Sequence, residues 1–479
     1  MSANRFPILR WPWVTFFLLL LILPLPAPGQ SPGLESPSPA ELLPATIEPG
    51  LRQRAIPGLL PSEPPPSSFR PLFRLTRPFY DTLQAPRPPP ILPETTPLFR
   101  PVRVHNPLQG LRPLPYPNKL WHLQPYVGTS LSYDSNIDLA PTNQKSDHYF
   151  TLNLGADFFL GTPDSIYLEE LESITALTAS YHLASDFFLN QTDFDALNQE
   201  ARLQGRIGRD RLILRPYVHF TDITASGLLT EERANRTRRI RMNTGTVLHL
   251  QPTQLLRWTL HPAYGTFDHT DPAYIDFENL RISTELGYRL LTDVFFFPWF
   301  SWEQTDPNRG SNGREIKAGL GWQGKFDPRL YSELRLGWGT LDLDDSVPSR
   351  RDLSGIRVEG YTTFDWSPRL RLTLKYDRRY VFNELDPNDN YVSTAGQFKA
   401  EILLADAWFL TPYFAITYSD FETSRRELLQ LRPETELAFV FLERSRLFFR
   451  IGYEYNVALV GPGQPVEAIR YALGLNYAF

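Results

Sequence analysis

Charged side chains recur at every second position through the carboxy-terminal three-quarters of the chain, and that spacing limits the chemistry they can do. In LRLTLKYDRRY (370–380), Arg371, Thr373, Lys375 and Asp377 alternate with Leu370, Leu372, Leu374 and Tyr376. Successive side chains of a strand point to opposite faces, so one face is apolar and the other carries charge. Ile356, Val358 and Phe364 separate in the same way from Arg357, Glu359 and Asp365. A two-faced strand suits a wall between lipid and water, because Arg or Lys facing the bilayer midplane costs about 2–4 kcal/mol. This criterion sorts Arg202, Arg206, Arg215, Arg239, Arg241, Arg281, Glu285, Arg289 and Lys317 inward. Arg335, Arg357, Glu359, Arg371, Lys375, Lys399, Glu434, Arg450 and Arg470 follow them as lumen-lining candidates. The set leans basic. Rings of Arg and Lys favour anionic permeants, so the pattern suits passage of anionic or highly hydroxylated solutes. The competing use is structural: opposite charges paired across neighbouring strands brace the wall.

Other chemistry finds little support. The sequence has no G-x-S-x-G elbow, H-E-x-x-H, phosphate loop or dinucleotide fingerprint, so neither an enzyme nor a cofactor is expected. Eight histidines are scattered, and Asp147-His148 and Asp268-His269 are neighbours of the kind chance produces. With no cysteine, disulfides, a thiol nucleophile, a Cys-zinc site and a lipoprotein anchor are all excluded. Asp342, Asp344 and Asp345 lack the spacing of a calcium loop and read as a solvated rim. A formal charge of −5 is small for the length and argues against nucleic acid.

The elements that must position the charged face are strands. The chain ends in YALGLNYAF, where Tyr471, Leu473, Leu475, Tyr477 and Phe479 share one face and Arg470, Ala472, Gly474 and Asn476 the other. A terminal strand closing on Phe resembles the signal that outer-membrane barrels show their assembly machinery. Upstream, ten- to fourteen-residue segments are separated alternately by short connections, such as QPTQ (251–254) and SPR (367–369), and long ones, such as IDLAPTNQKSD (137–147) and ELDPNDN (384–390). Short and long turns in strict alternation predict an all-β fold, a transmembrane antiparallel up-and-down β-barrel of about 18 strands, with 16 possible. Aromatics near segment ends, among them Tyr126, Trp258, Trp299, Trp338 and Trp408, fit interfacial girdles. Pro216, Pro262, Pro298, Pro412 and Pro433 fall inside predicted strands and should interrupt ladders locally.

Three regions follow. Residues 1–29 read as a signal peptide, with Arg5 and Arg10 before the apolar run 14–23 and small residues at 27–29. Residues 30–120 are proline-rich and predicted to be a largely disordered periplasmic segment, a linker or a tether for a periplasmic partner. Residues 121–479 form the barrel, placed in the outer membrane against lipid and lipopolysaccharide. Aromatics at 13% with charged residues at 21% fit a wall whose apolarity is hidden in period two.

The opening hairpin carries a family likeness. PYVGTSLSYDSNIDLA (125–140), with its Tyr133-Asp134-Ser135-Asn136 turn, followed by SDHYFTLNLGADF (146–158), resembles the β-barrel porin type 2 family. That resemblance implies an outer-membrane barrel, in some members linked to exopolysaccharide export. The leading expectation is a channel for small polar or anionic solutes. The alternatives are an export channel for an anionic polysaccharide, or an occluded structural or adhesive barrel.

Overall fold

A computed structural model of the chain describes residues 121–160, 176–209, 211–226, 236–291, 293–343, 353–383, 389–421, 423–442, 444–461 and 465–479. The signal peptide and proline-rich segment lie outside the described residues, as do residues 384–388 of the long connection ELDPNDN and the acids Asp344 and Asp345.

Eighteen strands follow one another. They are β1 (Trp121–Asp134), β2 (Asp147–Leu160), β3 (Ala176–Phe188), β4 (Ala196–Arg209), β5 (Leu212–Ser226) and β6 (Arg236–Leu250). Next come β7 (Leu256–His269), β8 (Phe277–Leu291), β9 (Val294–Pro307), β10 (Gly313–Asp327), β11 (Leu330–Leu343) and β12 (Leu353–Ser367). The last six are β13 (Leu370–Val381), β14 (Tyr391–Ala405), β15 (Trp408–Phe421), β16 (Glu427–Phe441), β17 (Ser445–Val460) and β18 (Val466–Ala478). Every strand pairs antiparallel with its sequence neighbours, and β1 also pairs with β18 from Tyr126↔Ala478 to Asp134↔Arg470. The sheet is therefore a closed ring with no free edge, one of the two architectures whose backbone can cross a bilayer fully hydrogen-bonded. Ring closure also places Trp121 and Phe479 at the end of the barrel that carries the short turns.

Alternation fixes the two faces. Leu320, Leu336, Trp338, Leu447 and Leu473 stand exposed on the outside, where a single-layer wall leaves apolar side chains for lipid. Tyr471, Leu475, Tyr477 and Phe479 share that outer face. Buried and charged positions fall on the other face.

The five prolines expected to interrupt strands show how a closed ladder tolerates them. Pro216 keeps its pairing with Thr246 on β6 while the β4–β5 ladder skips the residues opposite it. Pro262, Pro298, Pro412 and Pro433 behave alike, each retained in one ladder and skipped in the other. A proline lacks only the N–H, which would serve one neighbour, so one ladder opens and the other holds.

Candidate functional site: the charged inner wall

The inner face is the surface on which chemistry can occur. Arg202 and Arg206 lie on β4, Arg215 on β5, Arg239 and Arg241 on β6, and Arg281, Glu285 and Arg289 on β8. Lys317 lies on β10, Arg335 on β11, Arg357 and Glu359 on β12, and Arg371 and Lys375 on β13. Lys399, Glu434, Arg450 and Arg470 lie on β14, β16, β17 and β18. Each is in phase with buried inner-face neighbours, such as Glu200, Glu315, Glu333 or Glu436, and out of phase with the exposed Leu and Ile residues of its strand. What differs between sectors is the company these cations keep.

On β9–β13 they are paired. Lys317 Nζ sits 3.0 Å from Glu303 and 2.8 Å from Glu315, and Arg357 Nε reaches the other oxygen of Glu315 at 2.7 Å. Arg335 bridges Glu333 at 2.6 Å and Glu285 of β8 at 2.7 Å. Arg371 holds Asp365 through two nitrogens, at 2.6 and 3.0 Å. Local sequence makes room for this. Between Lys317 and Arg357 runs β11, whose inner position there is Gly339, and a Cβ would come within 2.9 Å of the Arg357 side chain and 3.1 Å of Lys317. Two long side chains thus lie flat across a strand that offers no side chain of its own.

The wall from β16 to β1 is paired too. Glu436 accepts from both Arg446 and Arg450, while Arg470 joins Asp134 at 2.5 Å to Glu454 at 2.6 Å across the closing seam. Gln430 donates to Glu454 at 3.0 Å and completes its shell. Buried charges survive when partnered and hydrogen-bonded in this way.

On β4–β8 the balance shifts. Arg202, Arg206, Arg215, Arg239, Arg241, Arg257, Arg281 and Arg289 face inward there. Among the described residues of these strands, the inner-face carboxylates are Glu200 and Glu285. Glu200 is held by Arg202 at 2.5 Å and His219 at 3.2 Å, and Glu285 is taken by Arg335 from outside the sector. Aromatic rings are neighbours of several of these arginines. Arg241 lies 4.2 Å from the centroid of Phe267, and Arg257 and Arg289 flank Phe295 at 4.2 and 5.0 Å. Arg257 also donates to Gln323 at 2.6 Å. Rings hold guanidinium groups flat by their faces.

Two hydroxyl–imidazole pairs punctuate the inner wall, Tyr126 with His182 at 2.5 Å and Tyr217 with His261 at 2.8 Å. Asp157 backs the first pair, 3.5 Å from His182. Tyr126 and Tyr217 are both buried, so the pairs brace the wall and present no open nucleophile. Tyr217 lies over Gly245, where a Cβ would collide with the ring. No metal-binding group of His, Cys, Asp and Glu occurs among the described residues.

Several wall residues escape the sequence pattern. Glu303 is hidden in the aromatic run FFFPWFSWEQ, and Glu315, Arg257 and Arg446 sit at strand ends where the face is hard to assign. Glu315 is legible in hindsight, being two positions before Lys317 and so on its face.

No protein-family model matches the chain, and no curated protein matches it. The resemblance to the type 2 porin family is carried by the opening hairpin, residues 125–140 and 146–158. Solved structures align with about three-quarters of the chain. Pseudomonas aeruginosa OpdK, determined with vanillate, is 9% identical over 74% of this chain and 99% of its own, at a TM-score of 0.41. Acinetobacter baumannii OccAB4 is 12% identical over 76% and 99%, also at 0.41. The A. baumannii outer-membrane channel DcaP is 9% identical over 75% and 97%, at 0.37. Function must be read from the chain's own wall.

Proposed function

We propose that the protein is an outer-membrane channel for small polar solutes, with a preference for anions. The observation that carries this reading is the inner wall of β4–β8, where arginines outnumber carboxylates inside a closed ring of 18 strands. A ring of that size leaves an aqueous passage once its wall is built. Guanidinium groups offer planar pairs of donors that match carboxylate and phosphate oxygens. Spread over five strands, they give an anion several weak stations instead of one deep well, which permits both binding and release.

Location follows from the same physics. A closed barrel with an apolar outer face belongs in a bilayer, and residues 1–29 would carry the chain across the inner membrane. The strand bearing Tyr471, Leu473, Leu475, Tyr477 and Phe479 would be the assembly machinery's handle, and the long connections would meet lipopolysaccharide. The paired groups of the wall are used in bracing it.

Single-channel recording of the refolded full chain in planar bilayers tests the reading, with selectivity taken from the reversal potential under a salt gradient. Anion-selective steps are expected. Protein that is folded by heat-modifiability yet passes no current, or passes cations preferentially, would overturn it.

A further inference from the structure

The first long connection, residues 135–146 between β1 and β2, turns into the barrel. Ile137 and Leu139 belong to no strand, yet they are only 2% and 4% exposed. Leu139 packs in one cluster with Val381 of β13, Tyr391 of β14, Phe421 of β15, and Val466 and Ala468 of β18. Val381, Tyr391 and Ala468 are in phase with the inward Arg371, Lys399 and Arg470 of their strands, so this is the inner face at the long-connection end. Between β15 and β18 the ring supplies only the half-buried Leu428 of β16, and the loop leucine fills the gap. The connection therefore lies along the inner rim from β18 towards β13, and does not stand above its own hairpin.

The Tyr133-Asp134-Ser135-Asn136 turn is what holds it there. Asn136 is fully buried, and its Nδ2 donates to the carbonyls of Ala140 and of Glu467 on β18, at 2.9 Å each. Its Oδ1 accepts from the Ala140 N–H at 2.9 Å, so one side chain clamps both ends of a five-residue turn. Asp134 accepts from the Asn136 N–H at 3.0 Å and from Arg470 of β18 at 2.5 Å. Ser135 Oγ accepts from the Ile469 N–H of β18 at 2.7 Å. The start of the connection is thus riveted to the last strand. Inside the clamp Leu139 has a φ of 53°, in the left-handed region that a leucine keeps only where its surroundings impose it. Hydrogen bonds fix the turn, and burial of Leu139 against the rim keeps it from swinging out into water.

We propose that this first connection is the channel's size filter, with Asn136 and Leu139 as its specificity-determining residues. It narrows the mouth along β13–β18 and leaves it open on the side of β4–β8, which lies across the ring. Compact anions pass beside the arginines of that side, and larger solutes are turned back. Because its anchors are on β18, a strand of the wall itself, the filter is a fixed loop and not a gate. The inference rests on the channel reading above and adds to it the solute's size.

Polyethylene glycols of graded mass size the passage in planar bilayers, because those that enter lower its conductance. In the full chain, Asn136→Ala with Leu139→Ala is expected to raise conductance about twofold, since passage follows pore diameter, and to admit glycols that the unchanged chain excludes. An unchanged conductance and cut-off, from protein that is folded by heat-modifiability, overturns the filter. A second measurement needs neither current nor that variant. The chain has no cysteine, so a thiol pair introduced into the full chain is the sole target of a short bis-maleimide. Leu139→Cys with Phe421→Cys on β15 is expected to crosslink, and Leu139→Cys with Asn198→Cys on β4 is not. β4 is two strands from β2 whereas β15 is four from β1, so a loop free of the rim would favour β4. Crosslinking to β4 that equals or exceeds that to β15 overturns the inward seating, and so does none to β15. A barrel that crosslinks to β15 yet passes no current in either form sinks the channel reading and the filter with it. Anion current with an unchanged cut-off sinks the filter alone.

Discussion

The inner walls of β9–β13 and β4–β8 are built by the same alternation, yet they hold their charges differently. On β9–β13, Lys317, Arg335, Arg357 and Arg371 each meet a carboxylate within 3.0 Å. On β4–β8, arginines lean on Phe267 and Phe295, and of the sector's two inner carboxylates Glu200 goes to Arg202 and Glu285 to Arg335 of β11. Period two decides which face a charge takes, but cross-strand register decides whether it is neutralised. One wall is therefore knit by ion pairs, and the other carries more arginines than carboxylates.

The largest expected effect is on the bracing wall. Glu315→Gln removes the shared acceptor of Lys317 and Arg357, both of which are largely buried. Lys317 keeps Glu303, whereas Arg357 loses the carboxylate that its Nε holds. Breaking a buried pair from one side costs about 3–5 kcal/mol, so a loss of about 3 kcal/mol is expected in denaturant unfolding. Arg289→Gln on the other wall loses a ring contact worth about 1 kcal/mol. Equal losses would erase the distinction between the walls.

The next effect is steric. Gly339→Leu places a side chain where Lys317 and Arg357 cross β11. Overpacking costs about 1–3 kcal/mol, and here it would also part Arg357 from Glu315. A double variant with Glu315→Gln should then cost less than the sum, because both changes remove the same contact. Strict additivity of the unfolding energies would show that the glycine serves something else.

Much of this was legible in the sequence. The strand count, the alternation of short and long turns and the face of each inward charge follow from period two, as LRLTLKYDRRY shows most plainly. Pairing was not legible. Arg335 reaches Glu285 three strands away, and the glycine that lets Lys317 approach Arg357 lies on a third strand between them. Such contacts depend on register and on missing side chains, which a period cannot report. Glu303 was hidden for a simpler reason: seven of the ten residues in its run are Phe, Trp or Pro, so no polar face stands out.

A smaller effect sharpens the electrical side of the comparison. Arg257→Gln with Arg289→Gln should lower the anion-to-cation permeability ratio about threefold, as expected when roughly 0.6 kcal/mol of cation repulsion at high dielectric is removed. Lys317→Gln with Glu315→Gln removes one charge of each sign and should leave the ratio unchanged. If both pairs shift selectivity alike, the two walls contribute to one averaged field.

The smallest effect is expected at Arg202. It belongs to the basic sector by position, but its side chain is 62% exposed and its partner Glu200 is nearly buried. An exposed pair is worth about 0–1 kcal/mol, so Arg202→Ala should shift the unfolding midpoint by little that can be measured. Its charge still stands in the passage. Because the Debye length shrinks from about 10 Å at 0.1 M salt to about 3 Å at 1 M, the variant should lose some anion preference in dilute salt and none in concentrated salt. A stability loss as large as that of Glu315→Gln would mean that exposure does not separate working charges from bracing ones. A selectivity loss that persists at high salt would mean that Arg202 binds the permeating ion directly instead of acting through its field.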